Sequence, residues 1–341
     1  MSNPPDNLSD PVICQIVAEP YHPGGLEKHF IEMCNGLSRD QAVHAIAHES
    51  YRRHLDDTVV FHPLDLSRSR RHPLMLWQLI QLLRSIDARV VHAHAKKAGY
   101  MLSRVARFIP QQSVITLHNL TLARPWMKRV DGVICVSKTI ADTLPGLPTH
   151  VVYNGIATPP PAASFHYPTP KPNVLAAGRL APAKGFDLLI QAVAEIDNVQ
   201  LHLAGQGDEL ARLQAMAGAL GITDRVHFLG YRDDLPVWVE AADLVVISSR
   251  REGFSYVFAE ALLAATPVVS TDVPVPCEFL PQAFIVPIDD AGALRHCIAG
   301  ALDTLDETRQ AQEALFSLGR QTFTLEAMLD NTRAVYRRLS R

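Results

Sequence analysis

Residues 173–194 read NVLAAGRLAPAKGFDLLIQAVA. The first five, Asn173–Ala177, form a short apolar run of the length of a buried strand. From about residue 185 to 195 the apolar side chains recur at helical spacing instead. Between them lies Gly178-Arg179-Leu180-Ala181-Pro182-Ala183-Lys184-Gly185, a loop opened and closed by glycine. Strand, loop and helix in this order make one unit of a parallel α/β sheet.

The same alternation extends in both directions. Ahead of it, strands are expected at Val12–Ala18, Val43–Ala47, Arg89–His92, Val114–Leu117, Val133–Val136 and His150–Tyr153, with helical patterns such as Leu26–Leu37 and Leu74–Ile86 between them. Behind it, Val199–Leu203, Val226–Leu229, Leu244–Ile247 and Val268–Ser270 read as strands, separated by helices near 208–219, 255–264 and 290–301. The fold class is therefore α/β, with two Rossmann-like, doubly wound sheets. At 341 residues one ordinary core is exceeded, and two domains are the natural division. Residues 157–172, ATPPPAASFHYPTPKP, hold six prolines and cannot form a helix or a central strand. They are expected to be a stiff, extended linker. The expected organisation is an N-terminal domain over 1–156, the linker over 157–172, a second domain over 173–322, and a closing stretch over 323–341 whose helix, about Leu325–Leu339, packs back toward the first domain. In open α/β sheets ligands bind outside the carboxyl ends of the strands, so the two domains are expected to face a central cleft.

Bulk composition narrows the function classes. No apolar stretch approaches the roughly 18–20 residues of a membrane span. MSNPPDNLSD lacks a basic-then-apolar signal pattern, so a cytoplasmic protein is expected. The five cysteines are scattered and never form a CxxC pair, which excludes a disulfide framework and a cysteine-based zinc site. Net charge is −3, unevenly placed: residues 1–158 hold 17 Lys+Arg against 13 Asp+Glu, leaving 15 against 22 for the remainder. A basic first half suits an anionic acceptor or an anionic membrane surface. Nothing calls for nucleic acid.

Three motifs bring chemistry to strand ends. Gly24-Gly25, just after the first strand, opens a helix where the backbone can approach a phosphate closely. The 178–185 loop delivers Arg179, a planar fork, and Lys184, a point charge, beside glycines, which suits a diphosphate. Arg251-Glu252-Gly253-Phe254-Ser255 precedes a helix holding Glu260. Two carboxylates eight positions apart, about 12 Å if helical throughout, could bind sugar and ribose hydroxyls separately. The competing structural reading takes Ser249-x-x-Glu252 as a capping box. His92 and His94 end one strand and His118 another. An HxH pair hints at a metal, but no Asp-x-Asp pair and no third ligand adjoin it in sequence, so no metal is expected.

Taken together these residues resemble the retaining GT-B glycosyltransferases of family 4. The resemblance spans nearly the whole chain through GGLEKH (24–29), VVHAH (90–94), TLHN (116–119), VSKTIA (136–141), VVYNGI (151–156), GRLAPAKG (178–185), LAGQGDE (203–209), VHFLGY (226–231) and REGFSYVFAEAL (251–262). It implies transfer of a hexosyl unit from a nucleotide sugar to a hydroxyl, retaining and metal-independent, with a UDP-sugar favoured over a GDP-sugar. By the same resemblance, His118, Arg179, Lys184 and Glu252 carry catalysis. Gly24, Gly25, Gly178, Gly205, Gly253, the amides of Phe254 and Ser255, and Glu260 join Arg179, Lys184 and Glu252 in binding the donor. His94, Lys96 and Lys97 are assigned to the acceptor side. Two stretches depart from the family pattern. Ala264-Ala265-Thr266-Pro267 lacks the usual glycine before its strand, and Val273-Pro274-Val275-Pro276-Cys277-Glu278 replaces a Gly-Gly turn after it.

The acceptor is expected to be a cell-envelope glycan or glycolipid, such as a lipopolysaccharide core. Arg68-Ser69-Arg70-Arg71 beside the amphipathic Leu74–Ile86 pattern adds peripheral contact with the anionic inner face of the membrane as an expected partner. An epimerase, a phosphorylase or a non-catalytic nucleotide-sugar sensor are the competing functions. A phosphorylase lacks its cofactor lysine here, and a sensor would have lost members of the Arg179, Lys184, Glu252 and Glu260 set, which is intact.

Overall fold

The computed structural model describes residues 11–22, 24–157, 165–168 and 172–340. The chain divides into two compact units, one running to Asn154 and resuming at Leu325, the other comprising Gly155–Thr324.

The first unit holds seven parallel strands: β1 (Ile13–Ile16), β2 (Val43–Ala47), β3 (Val59–Pro63), β4 (Val90–His94), β5 (Gln112–Leu117), β6 (Gly132–Cys135) and β7 (Thr149–Val151), in the order β3-β2-β1-β4-β5-β6-β7. All four side chains of β1 and all five of β4 are buried, as central strands covered on both faces require. The second unit repeats the plan with β8 (Asn173–Ala177), β9 (Gln200–Ala204), β10 (Val226–Gly230), β11 (Leu244–Ile247), β12 (Val268–Thr271) and β13 (Ile285–Val286), ordered β10-β9-β8-β11-β12-β13. Both sheets are wound outward from a central strand and then back past it. The switch points lie between β1 and β4 and between β8 and β11, where ligands bind in such sheets.

Two strands had no counterpart in the sequence reading. β3 is an edge strand with only Val59 of its five residues buried, and β13 is two residues long. Each carries only three or four consecutive apolar residues, 59–61 and 283–286, too few to tell a strand from a loop by pattern alone.

The helix Leu325–Leu339 belongs to the first unit. Leu325, Met328, Leu329, Val335 and Tyr336 enter that unit's core. Its approach to the helix Gly25–Leu37 depends on Gly36, where an added Cβ would come within 2.5 Å of Leu329 Cδ1. The expected N-terminal domain, 1–156, ends two residues earlier, at Asn154, and part of the expected linker packs on the second unit. Ile156 donates its N–H to Phe323 O and bridges to Thr324, so the second unit begins before the prolines. Further on, Tyr167 donates its hydroxyl to Trp238 O at 2.8 Å while Phe165 packs on the Trp238 ring. The prolines masked the tendency of these aromatic side chains to bury. The remaining linker residues, 158–164 and 169–171, and Pro23 of the Gly24-Gly25 motif lie outside the described residues.

Candidate functional site

In the second unit the loops leaving β8 and β11 meet. Glycine at three positions makes this meeting possible. Gly178 (φ +153°) and Gly205 (φ +143°) occupy backbone conformations that other residues rarely adopt, and a Cβ on Gly205 would lie 1.9 Å from Gly178 O. Gly185 (φ +63°) ends the short turn Pro182–Lys184, and a Cβ there would lie 2.0 Å from Ser248 O. Hydrogen bonds fasten the contact: Ser248 Oγ donates to Lys184 O at 2.9 Å, and Arg250 N donates to Ala183 O at 2.8 Å. Arg250 straps both loops to the helix Phe186–Ala194. It holds Asp187 through two hydrogen bonds of 2.8 and 2.9 Å, reaches Asp289 at 2.5 Å and donates to Pro182 O. Burial pushes the Asp187 carboxyl up, but the Arg250 hydrogen bonds and charge outweigh it and the net shift is downward. Arg250 was missed in sequence. Its only signal was the Arg250-Arg251 doublet, which reads as solvated charge.

On this frame Lys184 Nζ lies 2.5 Å from Glu252 Oε1, which also accepts from Ser249 Oγ at 2.7 Å. Lys184 thus pairs with a carboxylate 68 positions away, while its sequence neighbour Asp187 is held by Arg250. The capping-box reading fails: the helix starts at Tyr256, and Ser249 bonds the Glu252 side chain instead of capping a helix. The 12 Å estimate for Glu252 and Glu260 fails with it, because residues 252–255 are not helical. Phe254 buries its ring against Phe323, leaving its backbone for any ligand contact. Ser255 is the N-cap of the helix, yet its buried Oγ has no hydrogen-bond partner among the described residues. Such a group is a cost unless a ligand or water meets it. Glu260 is half-buried in the second turn of the helix. Arg179 is exposed, with no ion pair among the described residues.

In the first unit Gly24 and Gly25 are exposed at the start of the helix Gly25–Leu37, which has no side-chain cap. Gly24 is extended (φ −175°), a conformation any residue adopts, and a Cβ there would meet only the movable end of Glu27, 2.8 Å from Oε2, so the backbone itself does not demand glycine. Beyond the switch point three histidines converge. His29 from that helix, His94 at the end of β4 and His118 after β5 bring ligand-type atoms within 4.8 Å of one another. Sequence spacing concealed His29 as the third member. His94 Nε2 donates to Gln15 Oε1 at 2.7 Å, which leaves Nδ1 as an acceptor with no partner. Gln15 Nε2 in turn donates to the Tyr336 hydroxyl, which contacts His92 Nδ1 at 2.6 Å. His118 Nε2 also has no hydrogen-bond partner among the described residues, and His29 is approached by the Asn154 side chain without well-formed geometry. Burial pushes all of these imidazoles toward neutrality, His29 to about 4 and His92 to about 3, with His94 and His118 well below the usual range. Lys96 and Lys97 follow in the helix Ala95–Val105, on the other side of a strained Ala95 (φ +65°).

Gly24, Gly178, Arg179, Lys184, Glu252, Gly253, Phe254 and Ser255 thus sit on loops leaving strands that flank a switch point, while His94 ends β4 and Gly25, Lys96 and Lys97 lie in the first turns of helices that follow such strands. Gly205 leaves β9, His118 leaves β5, and Glu260 lies in the helix that the β11 loop opens.

Two Rossmann-order sheets with glycine-built, cation-bearing loops at their switch points define a GT-B transferase. The chain matches the sequence profile of glycosyl transferases group 1 over residues 163–330 and that of glycosyltransferase family 4 over residues 23–158. It belongs to the family-4 glycosyltransferases. A lipopolysaccharide core biosynthesis glycosyltransferase of Rhizobium meliloti, LpsE, is 27% identical over 90% of this chain and 94% of its own. The phosphatidyl-myo-inositol mannosyltransferase of Mycobacterium leprae is 27% identical over 82% and 84%. Among solved structures, HepE of Anabaena in complex with UDP and glucose superposes with a TM-score of 0.79 at 20% identity, covering 96% of this chain and all of that one. No helix among the described residues is long and apolar enough to cross a membrane.

Proposed function

We propose that the chain transfers a hexosyl unit, with retention and without a metal, from a nucleotide sugar to a hydroxyl of a cell-envelope glycan or glycolipid of the lipopolysaccharide-core kind. A UDP-sugar is preferred to a GDP-sugar. The observation that carries this reading is the Lys184–Glu252 pair beside the unpartnered Ser255 hydroxyl. Both hydrogen bonds to Glu252 fall on Oε1, so Oε2 is the oxygen offered to a ligand. A donor diphosphate would draw Lys184 to itself and free Glu252 for the sugar hydroxyls, coupling the two events. Arg179 adds the second cation, Gly178 and Gly205 keep the backbone close, and the amides of Phe254 and Ser255 with Gly253 face the sugar. Glu260 holds the ribose.

As the bond between the anomeric carbon and the diphosphate oxygen breaks, charge develops on the leaving group, where preorganised cations stabilise it. The acceptor oxygen forms the new bond on the same face and its proton passes to the departing diphosphate. His118 and His94 assist as neutral imidazoles. Unmet donors and acceptors without charge suit sugar hydroxyls better than phosphates. Support for the acceptor class comes from LpsE, which acts in lipopolysaccharide core biosynthesis, and support for a uridine donor from HepE, whose structure holds UDP-glucose. The test is a thermal-shift panel of UDP, GDP, ADP and their sugars, followed by hydrolysis of the stabilising sugar nucleotide without acceptor. Stabilisation by uridine nucleotides and slow release of UDP are expected. If no common donor releases its nucleoside diphosphate, the transferase reading is wrong.

A further inference from the structure

The first unit contains a cavity of about 500 Å³ lined by Ser67, Arg68, Ser69, Arg70, Lys96 and Lys97. Four cations and two hydroxyls thus surround one space. Its acidic neighbours are few: Glu19 lies 3.1 Å from Lys97 Nζ, and Asp65 is engaged by the Ser67 N–H. Three of the four cations have a contact that holds them. Lys97 donates to Ser67 O at 2.6 Å, Lys96 reaches Leu120 O at 3.4 Å, and Arg70 lies over the Tyr100 ring at 4.5 Å. Arg71, outside the lining, donates to the Tyr100 hydroxyl and fixes the same loop. Lys96 and Lys97 occupy the first turn of their helix, which has no acidic residue there. Cations at that end are disfavoured by the helix dipole unless an anion is close. Ala95, at φ +65°, makes a strained turn where that helix begins.

Like charges gathered around a space, three of the four held by contacts, point to a dianion as occupant. Lys96 contacts the segment that follows His118, so the cavity adjoins the histidine trio within the same unit. We infer that this cavity binds a phosphomonoester on the acceptor, close to the hydroxyl that is glycosylated. The inference rests on the proposed transferase reading and gives its acceptor a chemical class: a phosphorylated glycan. Arg68 and the lysines hold the phosphate oxygens, and Ser67 and Ser69 donate hydroxyl hydrogen bonds. Neutral sugar hydroxyls go to the neutral imidazoles.

The test uses the full chain with UDP present at saturation, so that the second unit's cations are occupied. Inorganic phosphate is titrated by thermal shift against potassium chloride of matched ionic strength. Wild type is expected to be stabilised by phosphate, and Arg68→Gln/Lys96→Gln to need at least ten times more phosphate for the same shift. These two side chains make the fewest contacts of the four and are the least bound up with the fold. Stabilisation by UDP itself, read in both proteins, reports the donor reading separately. Its loss in wild type would sink that reading and leave the phosphate titration interpretable. No phosphate effect beyond chloride in wild type, or an undiminished effect in the variant, overturns the inference. So does co-sedimentation with phosphatidylglycerol vesicles that depends on Arg68 and Lys96 and is not displaced by phosphate, because the anion would then be a lipid headgroup.

Discussion

Replacing Gly205 by alanine tests whether the glycine-built contact between two loops positions the donor cations. The backbone at Gly205 has φ +143°, and its ideal Cβ would stand 1.9 Å from Gly178 O. Such contacts do not fall below 3.0 Å, so one backbone must retreat by at least about 1.1 Å. The retreat cannot stay local. Gly178 N–H bonds Ala204 O and Leu180 N–H bonds Gln206 O, both at 2.9 Å, so the 178–184 loop moves with its partner. Lys184 lies across Gly178, its Cε only 3.0 Å from the ideal Cβ position there, and is displaced with it. A misplacement near 1 Å in a positioning group costs about 10² in rate. Gly205→Ala is therefore expected to lower kcat/KM about 100-fold, equivalent to about 2.7 kcal/mol of transition-state stabilisation. The backbone conformation alone costs about 1–3 kcal/mol of stability. Gly221→Ala separates the two effects, because Gly221 also has positive φ (+69°) but nothing lies within 4 Å of its ideal Cβ. That variant should lose stability and keep its activity. Sugar-nucleotide turnover and melting midpoints, measured on both, decide the matter. A folded Gly205→Ala enzyme within threefold of wild type would refute the loop-positioning argument.

Three further outcomes are expected. Lys184→Met should reduce turnover by about 10²–10³, by analogy with other preorganised charged donors; turnover within fivefold of wild type would remove Lys184 from the mechanism. Acidification should destabilise the first unit. His29 and His92 are held at about 4 and about 3 by burial, against about 6.5 in an unfolded chain. Below pH 6.5 the unfolded chain takes up protons that the folded one refuses. The stabilisation is therefore complete above pH 6.5 and falls by about 1.4 kcal/mol per pH unit for each histidine until the folded pKa is reached. Denaturant midpoints at pH 7.5 and 5.5 measure this, and equal midpoints would count against it. Finally, EDTA should leave turnover unchanged and metal analysis should find no stoichiometric zinc. The trio's atoms lie within 4.8 Å of one another and are of a kind that could hold a metal ion, so the measurement tests the metal-independent reading directly. Zinc at one equivalent, lost with EDTA together with turnover, would overturn the metal-independent reading.

The central strands were legible because both faces are buried and each leaves an apolar run. β3 and β13 were not, because their apolar runs are short and sit at sheet edges. The same locality governed the site. Gly178, Gly185 and Lys184 stand together in eight residues and announced themselves. The partners that fix them are remote: Glu252 is 68 positions from Lys184, and Arg250 is 63 from Asp187. His94 and His118 were visible as strand-end residues, while His29 and the convergence of the three are products of the strand order.

The departures from the family pattern show how sequence and backbone answer one another. Ala265, where the family often has glycine, adopts φ +55°, so the left-handed turn is kept without the residue that suits it. Val275, in the stretch that replaces a Gly-Gly turn, sits at φ +76° with its side chain wholly buried. A β-branched residue in that conformation is a genuine outlier, held by Pro276 on one side and the core on the other. Both strained positions flank β12, next to β11 and its Glu252 loop. Thr271, at the end of β12, donates to Ser249 O at 2.6 Å and so ties this strand to that loop. The chain has exchanged flexible glycines for strained, buried side chains beside a site whose chemistry is electrostatic. Rigid surroundings serve that chemistry, since a cation fixed before the charge develops stabilises it without reorganising.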